Sequence, residues 1–278
     1  MKSQKGKNIK NLHCEELYIP GSNGSEKIRV RIFRPKSYEG DLVGMLYNHG
    51  GGYMVSIPET KIPLFQKYIQ TKPCVIIAPD YCKSIKHPFP AGFNDCYDTL
   101  LWMKENATSL GINPSKFIVA GDSAGGGLTA AIAQKAADTG DVNIAFQIPL
   151  YPMIDYRQQT ESAKNMRSVP VWDSVNNAIG WKYYLKNIEE NVPAYASPAI
   201  NQNYTGFPPT ITFVGTIDTF RDETINYVEN LKKFNVPVKF QLFKGAFHGF
   251  EQFNSTISKR ANQFHLAAFA EYFEKYAV

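Results

Sequence analysis

KFIVAGDSAGGGLTAAIAQKAAD, residues 116–138, decides the fold. It opens with a short apolar, β-branched run, passes through Gly121-Asp122-Ser123-Ala124-Gly125-Gly126, and continues as an Ala-rich stretch with Leu128, Ile132 and Gln134. The first part reads as a buried strand and the last as a helix. Only small residues separate them, so the chain has to turn from strand to helix within a residue or two. A side chain at such an elbow stands clear of the backbone, and Gly121 and Gly125 leave it room. The helix beneath Ser123 points its positive end at the hydroxyl, which favours negative charge developing there. A glycine-rich turn that merely contains a serine is the competing reading. The strand before it and the helix after it count against that.

Working outward, the same alternation recurs. VGMLYNHGG (43–51), CVIIAPDY (74–81), IAFQIPLYP (144–152), TITFVGT (210–216) and VKFQLFKG (238–245) are brief apolar runs closed by Gly, Pro or Asp, as buried parallel strands are. Between them lie helical patterns: 91–110, 127–138, 223–234 and 258–276, the last with Ala261, Phe264, Ala268 and Tyr272 on one stripe. Strand–helix alternation predicts an α/β fold with a mostly parallel central sheet flanked by helices. EELYIPG (15–21) and KIRVRIF (27–33) read as an antiparallel pair at its edge. Residues 153–204 break the rhythm, with no clear strand and one helix from Asp173 to about Asn187. An insertion of that length reads as a small helical cap, and the core is then 1–152 plus 205–278, with the N-terminal residues adding to the cap.

The 278 residues are 44% hydrophobic and carry a formal charge of +5, which suits a soluble globular protein of one large α/β domain or two small ones. Apart from the Lys-rich first ten residues the positive charges are scattered, so no nucleic-acid stripe is expected. No run approaches a membrane span, and no apolar stretch follows the basic start as a signal peptide requires. Cys14, Cys74, Cys82 and Cys96 lack metal or redox spacing and read as reduced thiols, which points to the cytoplasm. No cofactor or metal is expected.

A second glycine-rich stretch, His49-Gly50-Gly51-Gly52-Tyr53, ends the strand-like run 43–48. Consecutive glycines let backbone N–H groups approach a ligand oxygen closely. Donors aimed at a developing oxyanion are each worth about 3–4 kcal/mol in acyl transfer. Gly51, Gly52 and Ala124 are the candidate donors. His49, before the nucleophile and beside this loop, reads as a loop anchor rather than a base. His248 is the candidate base, because it follows the last strand between Gly245 and Gly249; His13, His87 and His265 sit near the terminus, in a Pro-rich turn and inside a helix. Asp218, at the end of the run 210–217, is the candidate orienting acid, with Asp222 in reserve. The order Ser, Asp, His excludes chymotrypsin-like and subtilisin-like arrangements. Tyr53, Phe220, Phe247 and Phe250, with Trp172 or Trp181 from the cap, are candidate pocket walls, and each equally suits ordinary core.

Together HGGGY (49–53), GDSAGG (121–126), GTIDTFRDE (215–223) and HGF (248–250), with the Pro-rich turn after Tyr81, resemble the hormone-sensitive-lipase family of esterases, bacterial family IV, in its branch with Asp before the serine. The resemblance runs from about Val43 to the C-terminus. It implies the α/β-hydrolase fold, a triad of Ser123, Asp218 and His248, and an oxyanion hole of Gly51, Gly52 and Ala124. It also implies short-chain acyl esters as substrates, cleaved through an acyl-enzyme without cofactor. One departure stands out. The family's Arg and Ala-Pro-Glu after the tyrosine are replaced by Cys82 and Lys83-Ser84-Ile85-Lys86, which removes charges that brace this loop. Amide or formamide hydrolysis and carbohydrate deacetylation use the same constellation. A non-catalytic ligand-binding member of the fold would lack the late histidine, which is present. The residues leave open a homodimer through an exposed strand or the final helix.

Overall fold

A computed structural model describes residues 4–22 and 27–278. The expected N-terminal contribution to a cap therefore falls in part, at residues 1–3, outside the described residues. Eight strands form one sheet: β1 Leu12–Pro20, β2 Lys27–Pro35, β3 Leu42–Asn48, β4 Cys74–Pro79, β5 Ile112–Asp122, β6 Ile144–Leu150, β7 Thr210–Ile217 and β8 Val238–Phe247. The order is β1-β2-β4-β3-β5-β6-β7-β8. From β4 to β8 all neighbours run parallel; β1 and β2 pair antiparallel, and β2 joins β4 antiparallel. The antiparallel pair expected at the sheet edge is therefore there, with β1 outermost and β2 buried between β1 and β4.

Side-chain alternation divides the core in two. On β3, Leu42 and Leu46 face one layer while Val43, Met45 and Tyr47 face the other. The first layer is closed by α2 (Ala91–Glu105) and α4 (Ala124–Thr139), through Phe93, Leu100, Leu128 and Ile132. The second is closed by α1 (Ile62–Thr71) and α8 (Thr256–Tyr272), through Phe65, Tyr68, Ala261, Phe269 and Tyr272. A third cluster seats α7 (Arg221–Lys233) through Tyr227 and Leu231 against Tyr204 and Ala130. Ile148 of β6 is fully buried, and trimming it to Ala would cost about 2–5 kcal/mol.

The helix expected over 91–110 is two pieces: Asn106 interrupts it, and a separate turn α3 covers Ala107–Leu110. Between β6 and β7 the chain carries no strand. It holds α5 (Glu161–Asn165) and α6 (Ser174–Tyr184), whose N-caps Thr160 and Asp173 accept hydrogen bonds from Ala163 and Asn176 at 3.2 and 2.8 Å. No helix among the described residues is long and apolar enough to cross a membrane.

Candidate active site

β5 ends at Asp122, and α4 begins at Ala124, so one residue makes the turn. That residue is Ser123, at φ 57° and ψ −122°. A non-glycine side chain held there costs of order 1–3 kcal/mol, which the surroundings must outweigh. They do so with hydrogen bonds: Ser123 N–H donates to Leu150 O (3.0 Å), while its carbonyl accepts from Gly127 and Met153 N–H (2.9 and 3.0 Å). The flanking glycines are steric requirements, because a Cβ at Gly121 would overlap the Gly125 carbonyl and one at Gly125 the Asn48 carbonyl.

β7 and β8 deliver the other two groups just past their ends. The Ser123 hydroxyl lies 2.9 Å from His248 Nε2, and His248 Nδ1 lies 3.1 and 3.0 Å from the two carboxylate oxygens of Asp218. Asp218 is fully buried and also accepts from Phe220 N–H at 2.9 Å, which fixes its plane. The Nδ1–H tautomer donates to this carboxylate and leaves Nε2 to accept the hydroxyl proton. Tyr151 and Phe220 stand edge-on to the imidazole at 4.8 and 5.0 Å, and Trp172 flanks it at 6.5 Å. Asp222, the reserve acid, is engaged elsewhere: it accepts from Ser162 N–H at 2.8 Å and pairs with Arg221, so it ties α5 to α7. Its neighbour Glu223 is buried and accepts from Ile154 N–H at 3.0 Å; burial pushes its carboxyl well up.

The glycine loop follows β3. Gly51 and Gly52 take φ values of 120° and 58°, open to glycine and strained for other residues. Gly51 accepts from Met54 and Val55 N–H, which folds the loop back on itself. Ala124 N–H is at the first position of α4, among the donors that a helix leaves without an internal partner. His49 anchors this loop. Its ring stacks on Tyr81 at 4.3 Å, Nδ1 lies 2.7 Å from Gly50 O, and Nε2 lies 3.2 Å from Lys83 Nζ. An ammonium can only donate, so Nε2 accepts and Nδ1 carries the proton. Burial, and then the Lys83 charge, hold the His49 imidazole well below its usual range.

Lys83 also corrects the expectation that this loop has lost its charged brace. Its ammonium donates to Asp80 Oδ1 at 3.1 Å, to the Tyr81 carbonyl and to His49, and sits over the Tyr81 ring. Asp80 in turn binds Arg29 at 3.1 Å, and Arg29 pairs with the buried Glu59. The cation has moved one position along the chain, from 82 to 83, and still reaches the loop.

Three pocket expectations need correction as well. Tyr53 is core: it stacks on Tyr184 at 3.8 Å and donates to Met153 O at 2.8 Å. Phe250 packs against Phe213 and Phe243 in the second layer, and Phe247 leans on Phe253. Only Phe220 of the four touches the imidazole. Trp181 likewise packs into the core beside Tyr53 and Tyr184.

Sequence reasoning missed the support of the elbow. The Asp122 carboxylate is buried, 2.6 Å from Lys61 Nζ and 2.9 Å from the Tyr47 hydroxyl. Lys61 ends a short 3-10 turn, Pro58–Lys61, just after the glycine loop, so the pair clamps loop to elbow. Glu251 accepts from the Tyr151 hydroxyl at 2.6 Å and holds that ring against His248. A carboxylate buried beside the serine must be paired, and no local pattern in the sequence announces Lys61 as its cation.

A serine elbow at the carboxyl end of a central parallel strand, with an acid and a histidine following two later strands, defines the α/β-hydrolase class. The chain belongs to that family: the model of the alpha/beta hydrolase fold matches residues 45–252. Carboxylesterase NlhH of Mycobacterium tuberculosis is 31% identical over 256 residues, covering 90% of this chain and 79% of that protein. The arylesterase of Saccharolobus solfataricus is 27% identical, covering 81% and 73%. Among solved structures, a bacterial heroin esterase superposes with a TM-score of 0.93 at 32% identity, over 98% of this chain and 87% of the other. These likenesses agree with the resemblance to hormone-sensitive-lipase esterases carried by the motifs.

Proposed function

We propose that the chain is a serine carboxylesterase that hydrolyses short-chain acyl esters through an acyl-enzyme, with Ser123 as nucleophile, His248 as general base and acid, and Asp218 as orienting carboxylate. The observation that carries this is the unbroken series Ser123 Oγ, His248 Nε2, His248 Nδ1 and Asp218, with links of 2.9, 3.1 and 3.0 Å. His248 takes the hydroxyl proton as Ser123 attacks the ester carbonyl. The oxyanion is held by the N–H groups of Gly51, Gly52 and Ala124. His248 then protonates the departing alkoxide, and water repeats the sequence to release the acid. Asp218 holds the tautomer and stabilises the imidazolium. Residues 153–204 act as a cap whose attachment runs through Ser162, Trp172 and Tyr184. The esterase names of the similar proteins support the ester as substrate.

The test is a panel of p-nitrophenyl esters from acetate to dodecanoate, given to wild type and Ser123→Ala. Hydrolysis by wild type with loss in the variant is expected. Equal turnover by both contradicts the reading.

A further inference from the structure

Trp172 lies between the two halves of the site. It precedes Asp173, the N-cap of α6, and its carbonyl accepts from Thr219 Oγ1 at 3.1 Å, one residue beyond Asp218. Its backbone is thereby tied to the loop that supplies the acid. The ring reaches the other way. A Cβ on Gly52 would overlap the indole's benzo edge, and one on Gly180 of α6 would lie 3.3 Å from Cζ2 and 3.4 Å from Gly52 O. The benzo edge is therefore seated in a slot between the glycine loop and α6 that requires glycine at 52 and is tight against Gly180. The ring centre is 6.5 Å from the imidazole of His248, and Ser123 and His248 are each only 5% exposed. Trp172 Nε1 is buried without an acceptor among the described residues, so shape rather than a hydrogen bond holds the ring.

We propose that Trp172 sets the acyl-chain limit of this site by filling the slot between Gly52 and Gly180 with its benzo edge. This rests on the carboxylesterase reading and names the substrate class within it: esters of acids of about two to four carbons. The side of the ester follows from the chemistry. The leaving alkoxide must lie at His248 Nε2 to be protonated, and the carbonyl oxygen must face the loop N–H groups. The benzo edge takes up the space beside Gly52, and an acyl substituent directed from the carbonyl toward the glycine loop runs into it. Removing the ring vacates apolar space, and each methylene that a hydrophobic pocket accepts or refuses changes kcat/KM by about 10-fold or more.

The experiment measures kcat/KM for p-nitrophenyl acetate, butanoate, hexanoate and octanoate with wild type, Trp172→Ala and Trp172→Leu, and in parallel for acetate esters of lengthening alcohols. Circular dichroism and thermal melting check folding, and the Leu variant serves if the Ala variant fails to fold. Wild type should favour acetate or butanoate, and both variants should raise the octanoate-to-acetate ratio about tenfold or more. A ratio within twofold of wild type in a folded variant overturns the proposal. A wild type that already prefers octanoate does so too, and so does a gain confined to the longer alcohols. Ser123→Ala in the same panel separates the two levels: turnover surviving there removes the carboxylesterase reading itself.

Discussion

The strand ends and the segment 153–204 meet over the same few atoms, yet opposite physics builds them. At the strand ends the backbone dictates position: Ser123 is forced by a one-residue turn, and Asp218 and His248 are the first residues past β7 and β8. In the insertion, two short capped helices are held by individual contacts, among them Ser162 to Asp222, Phe89 N–H to Tyr184 O and Tyr53 on Tyr184. A site whose chemistry stands on the sheet and whose walls hang from a separate segment can change its substrate without moving its triad.

The comparison can be broken most forcefully at the elbow. Ser123→Ala should lower kcat for ester hydrolysis by at least about 10⁴-fold, with a melting temperature close to wild type. A smaller loss would mean that the strand-end geometry is not where the chemistry lies. Gly52→Ala attacks both regions at once, because the new methyl meets the Trp172 ring at a φ of 58°. The expected loss is about 10²–10³-fold in kcat from a displaced donor. Pairing it with Trp172→Ala should recover part of it; no recovery would mean that backbone strain alone is responsible.

A third test concerns the sheet side alone. His265 of α8 is buried against Tyr68 and Phe213, and burial lowers its imidazole from 6.5 to about 4. Between those values the unfolded chain binds a proton that the folded chain refuses. Stability from this group is therefore complete above pH 6.5 and is lost as pH falls toward about 4, by of order 3 kcal/mol in all. Urea melts of wild type and His265→Gln across that window should converge as the pH drops. Parallel curves would contradict the assignment. The smallest effect belongs to the outer face of α6: Val175 is exposed, and Val175→Ser should change stability by less than about 0.5 kcal/mol.

Legibility in the sequence follows the same division. The sheet was readable because continuous apolar, β-branched runs closed by Gly, Pro or Asp are local signals, and the elbow because strand, turn and helix adjoin in the chain. The order Ser123, Asp218, His248 then left few choices for the partners. What stayed hidden depends on contacts between distant residues. Trp172 meets Gly52 across 120 positions, Lys61 finds Asp122, and Lys83 reaches His49, with no pattern announcing any of them. Aromatic residues near the motifs misled for the same reason. Tyr53 and Phe250 adjoin the site in sequence, while the pleat and the loop turn send them into the core on opposite sides of the sheet.

The most direct measurement is covalent labelling with a fluorophosphonate followed by peptide mass spectrometry. One phosphonyl adduct per chain should appear on the peptide that contains Ser123, be absent from Ser123→Ala, and form far more slowly in His248→Ala. An adduct on another residue, or equal labelling of wild type and Ser123→Ala, would contradict the account.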